Sequence, residues 1–101
     1  HAGVTIPLLE REGIAVDGYL TPVNELGAAM YPTRDLALDA LGQTDKPIMA
    51  IKPMAGGRYL GHQAFAFVFD QVGVEAAMFG MGTVEQVAET TRAARKVLGV
   101  K

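Results

Sequence analysis

The sequence predicts an α/β domain in which parallel strands alternate with helices. Three observations carry that reading. Half of the 101 residues are apolar and a fifth are charged, so the chain can bury a core. Glycine and proline punctuate the chain between periodic segments. Between those breaks, helical and extended patterns alternate, and each strand-plus-helix unit takes about 30 residues, as in βαβ units.

Thr5 to Glu12 reads as a short helix, with Ile6, Leu8 and Leu9 apolar, Thr5 as N-cap, Pro7 in the first turn and Gly13 as the stop. Ile14 to Leu20 is short, apolar and β-branched at its start, and reads as a strand. Thr21 to Gly27 then turns. Thr33 to Leu41 carries Leu36, Leu38, Ala40 and Leu41, follows Tyr31-Pro32 and stops at Gly42, which makes it the second helix. Ile48 to Lys52 is apolar on both faces, as a covered parallel strand is, and Pro47 suits a strand's first residue. His62 to Val72 places Phe65, Val68 and Phe69 at helical spacing. Phe67 breaks the stripe, so helix and strand both remain open there, with its length and the preceding loop favouring helix. Glu75 to Phe79 is the third strand. Thr83 to Leu98 is the clearest helix: Thr83 and Gln86 form a capping-box pattern, Val84, Val87, Ala88, Thr91, Ala94 and Leu98 share one face, and acids precede bases along it. The whole of 1–101 is expected to be one partial-barrel domain in the order α-β-α-β-α-β-α.

Composition excludes several classes of function. The net charge of -2 leaves no basic excess for nucleic acid. The absence of cysteine removes disulfides, thiolate metal sites and a thiol nucleophile. Two histidines, His1 and His62, are far apart in sequence and make a poor metal site. No apolar run reaches the roughly 20 residues of a membrane span, and no signal peptide is visible, so a cytoplasmic location without membrane contact is expected. The first residue is His1 rather than methionine, which points to a processed chain or a portion of a longer one.

A closed barrel of eight strands and eight helices needs about 250 residues. Three strands supply fewer than half of one, and a three-stranded parallel sheet leaves two edges open. Something is expected to cover them: another copy of the chain in a homo-oligomer, another chain such as a separate first half, or the missing remainder.

Ligands of such folds bind at the C-terminal ends of the strands. Thr21 to Gly27, Pro53 to Arg58 and Gly80 to Thr83 are the loops placed there. Gly56, Gly57, Gly80 and Gly82 read as turn residues and, alternatively, as a backbone cradle for a phosphorylated small molecule beside a helix start. Lys52 and Arg58 add positive charge; Lys52 reads equally as a solvated strand end. Asn24 orients a ligand or closes an Asx turn. Asp17 and Glu75 fall toward the opposite end of the strands, and Tyr19 and Tyr31 have no partner identifiable from sequence.

The run Ile48-Met49-Ala50-Ile51-Lys52-Pro53-Met54-Ala55-Gly56-Gly57-Arg58, followed after a helix by Gly80-Met81-Gly82-Thr83-Val84-Glu85-Gln86-Val87, resembles the C-terminal part of the aldo/keto reductase superfamily. Val16-Asp17 to Asn24 is similar to the strand before it. The resemblance implies a (β/α)8 barrel that reduces carbonyls with NADPH, a tyrosine acting as general acid. The catalytic tyrosine, aspartate, lysine and histidine of that family come from the first half of the barrel, so no catalytic residue carries over. The half that is similar contributes the NADP site. By resemblance, the cofactor-binding residues are Lys52, Gly56, Gly57, Arg58, Gly80, Gly82, Thr83 and Glu89. Glu89-Thr90 stands where the family holds adenine with Glu-Asn, Gln86 is uncharged where a base often meets the 2′-phosphate, and Ile51 stands near the usual place of an aromatic residue. The expected function is an NAD(P)H-dependent oxidoreductase half, inactive alone; the alternative is a non-catalytic half barrel that binds itself or a partner through its open edges.

Overall fold

The computed structural model describes residues 1–100. The elements are helix α1 (Ala2–Arg11), strand β1 (Tyr19–Pro22), helix α2 (Arg34–Gln43), strand β2 (Ile48–Ile51), helix α3 (His62–Phe65, continued as a π-helix over Ala66–Val72), strand β3 (Ala76–Met78) and helix α4 (Val84–Leu98). The three strands form one parallel sheet in the order β1-β2-β3, with Leu20 level with Met49 and Met49 level with Ala76. The fold is α/β, in the expected alternation. No helix among the described residues is long and apolar enough to cross a membrane.

Four elements depart from the sequence reading. Helix α1 starts at Ala2, not after Thr5; the amides of Val4 and Thr5 reach the His1 carbonyl at 3.0 and 2.9 Å. Pro7 therefore sits mid-helix, where its missing N–H leaves a carbonyl one turn back without its usual donor. The longer helix is held by its packing on α2. A Cβ at Gly3 would lie 2.9 Å from Leu36 backbone and Pro32, so only glycine permits that approach.

The first strand begins at Tyr19 and runs through Pro22, rather than over Ile14 to Leu20. Its ladder starts where Tyr19 N–H reaches the Pro47 carbonyl at 2.9 Å. The partner chain before Pro47 is Thr44-Asp45-Lys46, which leaves α2 and offers no extended edge to Ile14 through Asp17. On β1, Tyr19 and Val23 donate toward β2, so Leu20 and Pro22 face the free edge, and proline has no N–H to show there.

The helix over His62 to Val72 changes geometry part-way. Over Ala66–Val72 it opens into a π-turn, and the Gly73 N–H reaches the Val68 carbonyl, five residues back. Ala64, Phe65, Phe67 and Val68 are buried along it.

Helix α4 buries a different face from the one its apolar pattern marks. Thr90, Ala93, Ala94 and Val97 turn inward, while Val84 is 80% exposed and Val87 and Leu98 stand in solvent. The layer of helices ends at α4, so only the side toward α3 has a neighbour.

The sheet is covered on one face. Ile48 and Ala50, with Thr21, are buried under the helices, in one core with Ile6, Ala37, Ala40, Phe65 and Val68. The alternate residues form a bare apolar face: Leu20 is 60% exposed, Met49 40% and Met78 56%.

At the N-terminal end of the sheet, Glu10 gathers the elements. Its carboxylate accepts from Tyr19 Oη at 2.9 Å, Thr44 Oγ1 at 2.7 Å and Lys46 Nζ at 2.9 Å. Those bonds, from Thr44 first, then Lys46 and Tyr19, lower the Glu10 pKa from 4.5 to about 2. A depressed carboxylate pKa adds stability above the unfolded value and loses it as pH falls through the folded one. Glu10→Gln is expected to unfold at lower urea than the native chain at pH 7, with the difference closing between pH 4.5 and 2. A difference that stayed constant over that range would show that the charge of Glu10 is not the source.

Candidate functional site

The loops that leave β1 and β2 at the C-terminal end of the sheet are joined by polar contacts. Asn24, after β1, is fully buried. Its Nδ2 donates to the Ala28 carbonyl at 2.9 Å and to the Lys52 carbonyl at 3.2 Å, and its Oδ1 accepts from the Ala28 N–H at 2.8 Å. These bonds close the loop locally, four residues on rather than the two of an Asx turn, and add a tie to the end of the next strand. Close by, Tyr59 donates its hydroxyl to the Glu25 carboxylate, and that bond, followed by burial, raises the Tyr59 pKa. Arg34 Nε donates to the Glu25 carbonyl at 2.7 Å.

The loop after β2 is left-handed at four of six positions: Lys52 (φ 56), Ala55 (φ 54), Gly56 (φ 70) and Gly57 (φ 85). Glycine adopts this conformation freely, whereas lysine and alanine adopt it at a cost of about 1 kcal/mol each. Turning Lys52 this way delivers its carbonyl to Asn24 and leaves its side chain exposed. Arg58 is also exposed, with Nε on the Ala55 carbonyl at 3.0 Å.

The loop after β3 runs into α4. Thr83 caps the helix as read, its Oγ1 accepting from Gln86 N–H at 3.1 Å. Gln86 Oε1 returns to accept from Gly82 N–H at 2.7 Å. The Gly82 amide, expected as a donor to an anion, thus already has a partner within the cap.

A cleft of about 260 Å³ lies between the β2 loop and the first turns of α4. Of the residues singled out in sequence, Gly57, Gly80 and Glu89 line it. Lys52, Gly56, Arg58, Gly82 and Thr83 are outside its lining. The structure adds Leu60 and Gly61, which form an apolar wall with Met54, and sets Gln86 and Thr90, noted in sequence as departures from the family pattern, beside Glu89 as polar neighbours. Leu60 and Gly61 carried no signal beyond loop composition. The cleft presents one carboxylate, one amide and one hydroxyl and has no cation in its lining. Its chemistry suits a neutral ligand portion bearing hydroxyl or amino donors, while a phosphate would depend on Lys52 or Arg58 at the loop surface.

Other sequence candidates lie elsewhere. Asp17 and Glu75 stand at the N-terminal end of the sheet, where Glu75 Oε2 accepts from Ile48 N–H at 2.6 Å. Tyr19 finds its partner in Glu10, and the Tyr31 ring lies 5.2 Å from that of His1. No group of three or more metal-ligating side chains occurs among the described residues.

No protein-family model, curated protein or solved structure matches this chain.

Asn24→Ala removes three side-chain bonds and takes away the Asn24 partners of the Ala28 N–H and carbonyl, while the Lys52 carbonyl keeps the Ala55 N–H; a loss of about 3 kcal/mol is expected in urea unfolding. Space alone would admit alanine at both Gly57 and Gly80, and backbone conformation separates them. Gly57→Ala is expected to cost about 1 kcal/mol, whereas Gly80→Ala, which has no positive φ, changes stability by less than about 0.5 kcal/mol. Equal effects at the two positions would contradict the conformational assignment.

Proposed function

We propose that this chain is the C-terminal half of an aldo/keto reductase-like (β/α)8 barrel, acting in the cytoplasm. It supplies part of a phosphate- or dinucleotide-binding site and no catalytic group. The observation that supports this best is the arrangement of the sheet. Three parallel strands carry helices on one face and a bare apolar face on the other, and their glycine-rich loops meet the start of α4 at the C-terminal end.

NADP(H) fits the cleft in part. A volume of about 260 Å³ is below the roughly 300–1,000 Å³ of complete small-molecule sites, so it takes one nucleoside end of a dinucleotide. Glu89 accepts from a ribose hydroxyl or an amino group there, Gln86 and Thr90 add hydrogen bonds, and Met54 and Leu60 give an apolar wall. Phosphates lie toward Lys52 and Arg58, which remain free to turn to them. When bound, the nicotinamide would supply hydride; this chain holds no group that protonates the carbonyl.

The test is calorimetric titration of the chain with NADPH, beside Gly80→Leu. Gly80 has open space where a Cβ would go and no left-handed backbone, so leucine fills the cleft without straining the fold. Binding is expected in the native chain and at least about a tenfold loss in the variant, an occluded contact being worth over 1.4 kcal/mol. Equal binding by both would overturn this placement, and no binding by either would remove the dinucleotide role.

A further inference from the structure

The bare sheet face and both outer helices have no covering element, and the structure indicates what fits them. The chain exposes 6224 Å². A compact monomer of 10.7 kDa exposes about 5,500 Å². The excess of about 700 Å² is close to the roughly 800 Å² that one partner contributes to a stable interface. The radius of gyration, 13.8 Å, likewise exceeds the about 12.7 Å of a compact chain of this length.

The open parts lie at the two ends of one arc. At one end is the free edge of β1, beside α1, whose Val4 and Leu8 are exposed. At the other is the free edge of β3, beside α4, with Val84, Val87 and Leu98 exposed and a shallow groove of about 570 Å³ running past Arg92, Arg95 and Lys96. The charges of the two ends match along the axis. Helix α1 ends at the N-terminal end of the sheet, fixed by the Glu10 bonds to Tyr19 and Lys46, and exposed Glu12 and Asp17 follow it there, Glu12 lying 3.8 Å from the exposed Arg11 guanidinium so that the two acids outnumber one base. Helix α4 starts at the opposite end and brings its basic C-terminal half to that same level. Laid parallel, α4 of one molecule sets Arg92, Arg95 and Lys96 against Glu12 and Asp17 of another.

We propose that a second copy of this chain covers the bare face, the two copies facing inward about a two-fold axis along the strands. In that arrangement β3 of each lies beside β1 of the other, and α4 of each beside α1 of the other. Leu20, Met49, Ile51 and Met78 of both copies fill the shared interior. Pro22 removes one donor from the β3–β1 junction, so burial and the two charge-matched helix contacts hold the pair. This proposal rests on the half-barrel architecture proposed above and not on its nucleotide site.

Native mass spectrometry of the intact chain is expected to give a dimer at twice 10.7 kDa. Two charge-reversed variants decide the arrangement: Arg92→Glu with Arg95→Glu and Lys96→Glu, and Glu12→Lys with Asp17→Lys. Each alone is expected to dimerise about tenfold more weakly or worse, because both helix junctions then face like charges. Mixed together, the two restore both junctions and form the heterodimer in preference to either homodimer. All these positions are exposed, and unchanged circular dichroism confirms that each variant folds. A monomeric native chain would overturn the proposal, as would a dimer indifferent to both variants or a mixture without heterodimer. A monomer that nevertheless binds NADPH would overturn this proposal and leave the nucleotide reading standing. A charge-dependent dimer that ignores NADPH would do the reverse.

Discussion

Asn24 holds the working end of the molecule together. Its amide is sealed from water, so each of its hydrogen bonds is costly to leave unmade. One of them reaches across to the Lys52 carbonyl, which also accepts from the Ala55 N–H, and Lys52 is left-handed there. From Lys52 the chain turns through Ala55, Gly56 and Gly57, and that turn sets one wall of the cleft against α4. A single side chain thus ties two strand ends together at the start of the loop that follows. Glu10 does the corresponding work at the other end of the sheet, with one carboxylate binding groups from β1 and from the segment that enters β2.

How far the sequence predicts the structure depends on how local each determinant is. Thr83 with Gln86, and Thr33 with Leu36, cap their helices within four residues, and both helices start where their patterns place them, although α2 runs on through Gly42 to Gln43. The strand Ile48–Ile51 is equally plain, since β-propensity and punctuation agree over a short run. The misjudged elements were decided by contacts distant in sequence. Tyr19 starts its strand because Pro47 is there to accept from it. Helix α1 tolerates Pro7 because its Gly3 side packs on α2. The π-turn over Ala66–Val72 has no signature in a 3.6-residue window.

The site was legible to a similar degree. Gly57, Gly80 and Glu89 meet at one cleft from three separate parts of the chain, as the motifs imply. Glycine reports where backbone bends but not which way the neighbouring cations point, so Lys52 and Arg58 fell outside the lining. The donor expected at Gly82 is spent on Gln86, and that contact followed from the same capping box that made the helix so readable. One motif served both readings, and the helix cap was the one it satisfied.

Pro22 gives the open edge of β1 a discriminating character. An exposed parallel strand with every amide available would accept almost any extended segment, which is how unprotected sheets recruit unrelated chains into aggregates. Here the outward position carries no hydrogen to offer, and the next outward donor is Leu20. A stray peptide gains too little from the backbone to stay. Only a surface that also covers Leu20, Met49 and Met78 can profit from docking, so recognition at this edge is decided by shape and apolar fit rather than by strand pairing.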